Sequence, residues 1–186
     1  MNYPVPAKTA LHQAINHIER WQNRRASMES LSTPVRPHAE LALRLALRSA
    51  VARGRLTCFV SETFSPDKAA LHMLCAQAGV QLHDMMRREL EQFEFNRLTM
   101  AAAKISASSV QFASPSDTSE VSGDLLDLDR SQGLDTVVCE RRTNTDLDSW
   151  RDELEFVSRM TGAEIHLVTG RLPAAGRFIP GFGQRA

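Results

Sequence analysis

Apolar residues recur along this chain in two rhythms, stripes at helical spacing and short unbroken runs. Leu11, Ala14, Ile15, Ile18 and Trp21 return every three or four positions while Gln13, Glu19, Gln22 and Arg24 take other faces, which predicts a first helix over 7–27. Pro34 and Pro37 break the pattern and predict a short loop over 32–38. Leu41, Leu43, Leu45, Leu47 and Val51 form a broad stripe, predicting a second helix over 39–52 that Gly54 ends. The run LTCFV, residues 56–60, has the continuous apolarity of a strand buried on both faces. Ser65-Pro66-Asp67 then reads as a helix start, with a capping hydroxyl, a proline at the first helical position and an acid in the first turn. Leu71, Leu74, Cys75 and Ala78 follow before Gly79. Another helix is predicted over 92–105 with Phe95, Leu98, Ala102 and Ile105 inward, then a strand at 110–113 and a short helix or turn at 123–131. LDTVVC (134–139) and EIHLVT (164–169) are two further buried strands, and the helix predicted between them over 146–161 buries Leu147, Trp150, Leu154, Phe156 and Val157. Strands alternating with helices imply an α/β fold, a mostly parallel sheet with helices on both faces, preceded by an N-terminal amphipathic helix.

Composition narrows this picture. With 186 residues, 42% apolar and 24% charged, the chain has the material for one core and too little for two. Nine glycines and eight prolines do not suggest disorder, except over SPSDTSEVSG, residues 114–123. A net charge of zero gives no strong attraction to nucleic acid or anionic lipid. Cys58, Cys75 and Cys139 are far apart and read as reduced core residues. The start MNYPVPAKTALHQ has no apolar leader, and no run reaches the roughly 18 apolar residues of a membrane span. A cytoplasmic protein is expected, one that does not engage the membrane. His12 and His17, like His38, His72, His83 and His166, lack metal-ligand spacing. Asp124, Asp127 and Asp129 lack the glycine and distal glutamate of a calcium loop and read as a solvated turn. No metal and no cofactor is expected.

Taken in order, Val35-Arg36-Pro37-His38-Ala39-Glu40-Leu41-Ala42 before an apolar helix, CFVSETF, LDTVVCE and WRDELEFVSRMTGAEIHLVTGRL resemble the successive motifs of the ATPase domain of DnaB-type replicative helicases. That resemblance spans about residues 30–175 and implies a RecA-like domain over 31–175, an N-terminal helix and linker over 1–30 and a C-terminal tail over 176–186. No single motif is intact. Against the family's Gly-Arg-Pro-x-x-Gly-Lys-Thr phosphate loop, Arg36 and Pro37 match, Leu41 replaces the lysine, Ala42 replaces the hydroxyl that holds magnesium, and Glu40 sets a carboxylate where phosphates would lie. Glu62 falls at the family's water-polarising glutamate, and Glu140 at its magnesium-associated aspartate. The resemblance therefore implies a degenerate nucleotide site and no ATPase or helicase activity, since a general base without phosphate and metal has nothing to act on.

Two surfaces remain. In the family a linker helix packs on the neighbouring subunit, so Leu11, Ile15, Ile18 and Trp21 are a candidate partner-binding stripe; folding back on the chain's own sheet is the alternative. Arg87 and Arg88, with Arg141 and Arg142, are candidate phosphate contacts if they converge. Arg44 and Arg48, near Arg53 and Arg55, read as arginines snorkelling from a buried helix. The expectation is a pseudoenzyme in DNA replication that acts by protein–protein interaction, as a helicase accessory, loader or inhibitor of the kind mobile elements carry. A nucleic-acid-binding module is the alternative.

Overall fold

The computed structural model describes residues 4–22, 36–87, 90–114, 118–141 and 147–170, with the side chains of 17–22 and of 118–119 excepted. The expected stretches 23–27, 32–35 and 176–186 lie outside the described residues. The chain opens with a two-residue strand β1 (Val5–Pro6) and helix α1 (Ala7–Gln22). Helix α2 (Pro37–Leu47) ends in a wide turn over Arg48–Ala52, followed by β2 (Thr57–Ser61), α3 (Pro66–Ala78), α4 (Leu82–Arg87), α5 (Gln92–Ser106) and β3 (Val110–Ala113). Then come α6 (Thr118–Gln132), β4 (Thr136–Arg141), α7 (Leu147–Thr161) and β5 (Glu164–Thr169).

The five strands form one sheet in the order β1-β3-β2-β4-β5, parallel except for β1. This is a RecA-like α/β arrangement. Every residue of β2 and β4 is buried, because helices cover both faces, and this is why both read as unbroken apolar runs. Period-two alternation divides their side chains between two cores. Phe59 and Val138 face α1, α2, α3 and α5; Cys58, Val60, Val137 and Cys139 face α6 and α7. Phe59 meets Phe112 edge to face at 6.3 Å, an arrangement worth about 1 kcal/mol beyond the area it buries.

Several elements depart from the sequence expectation. Helix α2 starts at Pro37, so Pro37 and His38 belong to its first turn instead of a loop, and Leu41 is exposed, leaving Ala39, Ala42, Leu43 and Ala46 to make the contact. Phe95 and Phe156 are exposed on α5 and α7 although both flank the apolar stripe, because each inward sector is already filled, by Leu98, Ala101 and Ile105 and by Trp150, Leu154 and Val157. Residues 118–123, expected to be disordered, open α6, where Val121, Leu125 and Leu128 pack on the sheet; the same helix, not a solvated turn, carries Asp124, Asp127 and Asp129. Asp129 accepts the backbone N–H of Leu134 at 2.8 Å and ties α6 to the approach of β4. Ser65 holds the cap position of α3, but its hydroxyl bonds Asp67 Oδ1 and makes no capping bond. Gly79 ends that helix at φ 64°, a conformation that disfavours side chains.

Helix α1 folds back on its own domain. Ala7, Ala10, Leu11 and Ala14 are buried in the same core as Leu71, Leu98 and Ile105, and β1 pairs antiparallel with β3 through Val5 opposite Phe112. Four small or medium residues on one face let α1 approach α3 closely. No helix among the described residues is long and apolar enough to cross a membrane.

Candidate functional site

In the strand order, β3 lies on one side of β2 and β4 on the other, so successive connections leave the β2/β4 pair in opposite directions. The crevice beyond the carboxyl ends of such a pair is where open α/β sheets bind ligands. The residues Ser61 and Glu140, at the carboxyl ends of β2 and β4, stand opposite each other in the register. Around them the chain gathers a polar cluster whose centre is closed to solvent and whose rim, His38 and Thr63, is partly exposed.

Glu140 is its centre and is 0% exposed. Its Oε2 accepts the Ser61 hydroxyl at 2.8 Å and the Thr63 backbone N–H at 3.1 Å, and its Oε1 accepts the Thr63 hydroxyl at 2.8 Å. His38 Nε2, from the first turn of α2, stands 3.0 Å from Oε1, off the line of a hydrogen bond. Ser61 Oγ in turn accepts the Thr63 and Phe64 N–H groups at 3.0 and 2.9 Å and so fixes the turn after β2. A carboxylate offers about four lone-pair directions, and three hydrogen bonds take three of them here. Its position next to a helix N-terminus is favourable for a negative charge, so the chain's own carboxylate sits where an anionic ligand would be drawn.

The other expected nucleotide-site positions scatter. Arg36 precedes α2 and Pro37 opens it. Glu40 turns outward into an exposed pair with Arg44 at 2.6 Å, Leu41 is exposed, and Ala42 is buried in the core. Glu62 pairs with Arg141 at 2.8 Å, and the Arg141 guanidinium lies 4.4 Å over the Trp150 ring. Arg141, expected as a candidate phosphate contact, is instead buried between an acid and an aromatic face, because the parallel sheet runs past the apolar segment and α7 covers it. Arg87 ends α4, which packs with α1 and α3 on the other side of the sheet from Trp150, so Arg87 and Arg141 do not converge. Arg88 and Arg142 lie outside the described residues, as do the side chains of Ile18 and Trp21. Of the candidate partner stripe, Leu11 is spent on the core and Ile15 is exposed. Arg44 is exposed and Arg55 pairs with Glu164 at 2.6 Å.

Burial raises the thiols of Cys58 and Cys75 to about 12 and raises Cys139 as well, so all three stay protonated at neutral pH. Burial, reinforced by Lys68, lowers His72 to about 4; its ring packs on Phe64 at 5.0 Å. Among the described residues no three His, Cys, Asp or Glu side chains group as metal ligands do.

The sequence pattern does not single out His38, Ser61 and Thr63 as functional. Their signal is present in the polar SET directly after one apolar run and in the glutamate ending another, since parallel strands of matching register bring their ends together.

No protein family matches the sequence, and no curated protein matches it. Solved structures do resemble the fold. A DnaB-like replicative helicase, solved with its interactions with primase, superposes with a TM-score of 0.61 at 12% identity, covering 73% of this chain and 36% of its own. A second solved structure, the ATPase domain of another protein, superposes with a TM-score of 0.59 at 12% identity, covering 70% of this chain and 51% of its own. The chain thus spans roughly a third to a half of the proteins it resembles.

Proposed function

We propose that this protein is a non-enzymatic relative of the RecA-like ATPases that works by protein–protein contact, with a DnaB-type replicative helicase as its partner and an accessory, loading or inhibitory role. The observation that carries this reading is the buried Glu140 carboxylate in the switch-point crevice, whose two oxygens already accept three hydrogen bonds. Phosphate would meet a buried negative charge there, and magnesium would have to displace neutral donors already bound to both oxygens. Leu41 and Ala42, at the positions of the family's lysine and hydroxyl, supply neither charge nor metal ligand. A domain plan kept without a nucleotide site retains its surfaces, and surfaces serve binding.

The nucleic-acid reading loses support, because Arg141 is buried beside Glu62 and Trp150 and stands apart from Arg87. The helicase reading is tested by co-sedimentation of the purified chain with a DnaB-type helicase from the same host, at about 10 μM each, where a micromolar contact is visible. A co-migrating complex is expected. Separate migration of the two proteins overturns the reading.

A further inference from the structure

The two faces of the sheet carry helices of unlike charge. Helices α6 and α7 hold eight acidic residues against three arginines. On the opposite face, α5 meets the C-terminal end of α3 along a shallow groove lined by the small residues Ala76, Ala78, Gly79 and Ala101. Arg97, Met100 and Lys104, at helical spacing in one narrow sector of α5, form its other wall, and no acid lines it. Met100 is 62% exposed there.

The two cations of this wall lack counter-charges. Arg44, Arg55, Arg130, Arg141 and Arg151 each pair with an acid of the chain, whereas Arg97 and Lys104 pair with none among the described residues. Glu91 and Glu94, the acids at the start of α5, are held in its capping box, where Glu94 accepts the Glu91 N–H at 3.0 Å. Arg97 is also held in place. Its guanidinium donates to the Gly79 carbonyl at 2.9 Å, and a Cβ at Gly79 would collide with it, so the bare backbone there admits the cation. A guanidinium has five N–H donors, and this one bond leaves others for a carboxylate.

We infer that the α3–α5 groove binds an acidic amphipathic helix of another protein. Arg97 and Lys104 stand seven positions apart on α5, about 10 Å along its axis, which is the spacing of acids at i and i+7 on a helix lying alongside. Apolar residues at i+3 and i+4, between those acids, would cover Met100, and the small residues of the lining let the incoming backbone approach closely. The same surface suits nucleic acid poorly, because Met100 and the alanines offer phosphate no donor. Such a groove rests on the reading of the chain as a binding protein and adds the surface and the chemistry of the partner, while no helicase enters the test, so the two fail separately.

A fluorescently labelled peptide of about 18 residues, with glutamates at i and i+7, leucines at i+3 and i+4 and alanine elsewhere, is titrated with the full chain to about 300 μM and followed by anisotropy. A Kd of about 10–100 μM is expected, weakening as salt is added. Lysines in place of the glutamates, or serines in place of the leucines, should each weaken binding at least about tenfold. In the protein, Met100→Glu and Lys104→Glu should do the same with unchanged circular dichroism, because both side chains are exposed. Met160→Glu, equally exposed but on the opposite face of the sheet, should bind like the parent chain. A parent chain that does not bind the peptide overturns the inference. So does a lysine peptide that binds as well, a serine peptide that binds as well and so makes the groove a general anion site, or Met100→Glu and Lys104→Glu chains that bind like the parent.

Discussion

Glu140 lies near the end of a strand that begins with an apolar run, and in the folded chain it is buried with three hydrogen bonds and the His38 ring beside it. Truncating it would remove the acceptor of the Ser61 and Thr63 hydroxyls and leave the Thr63 N–H with Ser61 Oγ alone. Glu140→Ala is therefore expected to lower stability by about 2–4 kcal/mol in urea denaturation. A loss below about 1 kcal/mol would mean that the cluster does not hold the ends of β2 and β4 together. His72 supplies the pH dependence. The folded state keeps it neutral down to about pH 4, whereas the unfolded chain takes up the proton near 6.5, so the unfolded chain binds more protons between those values. Stability is whole above pH 6.5 and declines as pH falls toward 4. The chain should lose up to about 3 kcal/mol more across that window than His72→Gln. Equal losses in the two proteins would show that His72 is solvated.

At the scale of elements, the N-terminal helix had two readings that only packing could separate. Leu11 is buried beside Leu71 and Leu98, while Ile15, one turn on, faces outward. Leu11→Ala is expected to cost about 2–4 kcal/mol through lost burial and the cavity left behind, and Ile15→Asp less than about 0.5 kcal/mol. Comparable losses from both would place the stripe of α1 against something besides its own sheet. The central strands were the most legible elements, because burial on both faces writes itself as an unbroken apolar run, and β2 and β4 are displaced by only one or two residues; β5 matches its predicted span but, as an edge strand, is half-buried throughout instead of buried as expected. Helix α6 was the least legible. Its Ser, Asp and Gly content suits loops by local propensity, and the contacts of Val121, Leu125 and Leu128 with the sheet outweigh that preference.

For the molecule as a whole, the closed crevice has a thermodynamic consequence. A ligand that binds only the folded state raises the melting temperature by mass action, stabilising by about 2.7 kcal/mol at a hundredfold excess over Kd. Millimolar ATP with magnesium is expected to leave the melting curve unmoved. A rise of several degrees would restore a nucleotide switch to this fold. The charge balance carries a similar lesson. A net charge of zero conceals an acidic sheet face and a basic stripe opposite, and a total cannot report how its parts are distributed.

The sequence by itself determined the α/β class, the parallel strands, the buried cysteines and the replacement of the phosphate-loop lysine and hydroxyl by Leu41 and Ala42, because each depends on residue type and on periodicity along the chain. Tertiary structure alone decided that His38, Ser61, Thr63 and Glu140 close over the switch point, that Arg141 is buried on Trp150, that Leu11 belongs to the core, and that Phe95 and Phe156 stay outside. These depend on the order in which strands pair and on which sector of each helix the sheet has room to cover. Residues far apart in the chain set both, and no local pattern records them.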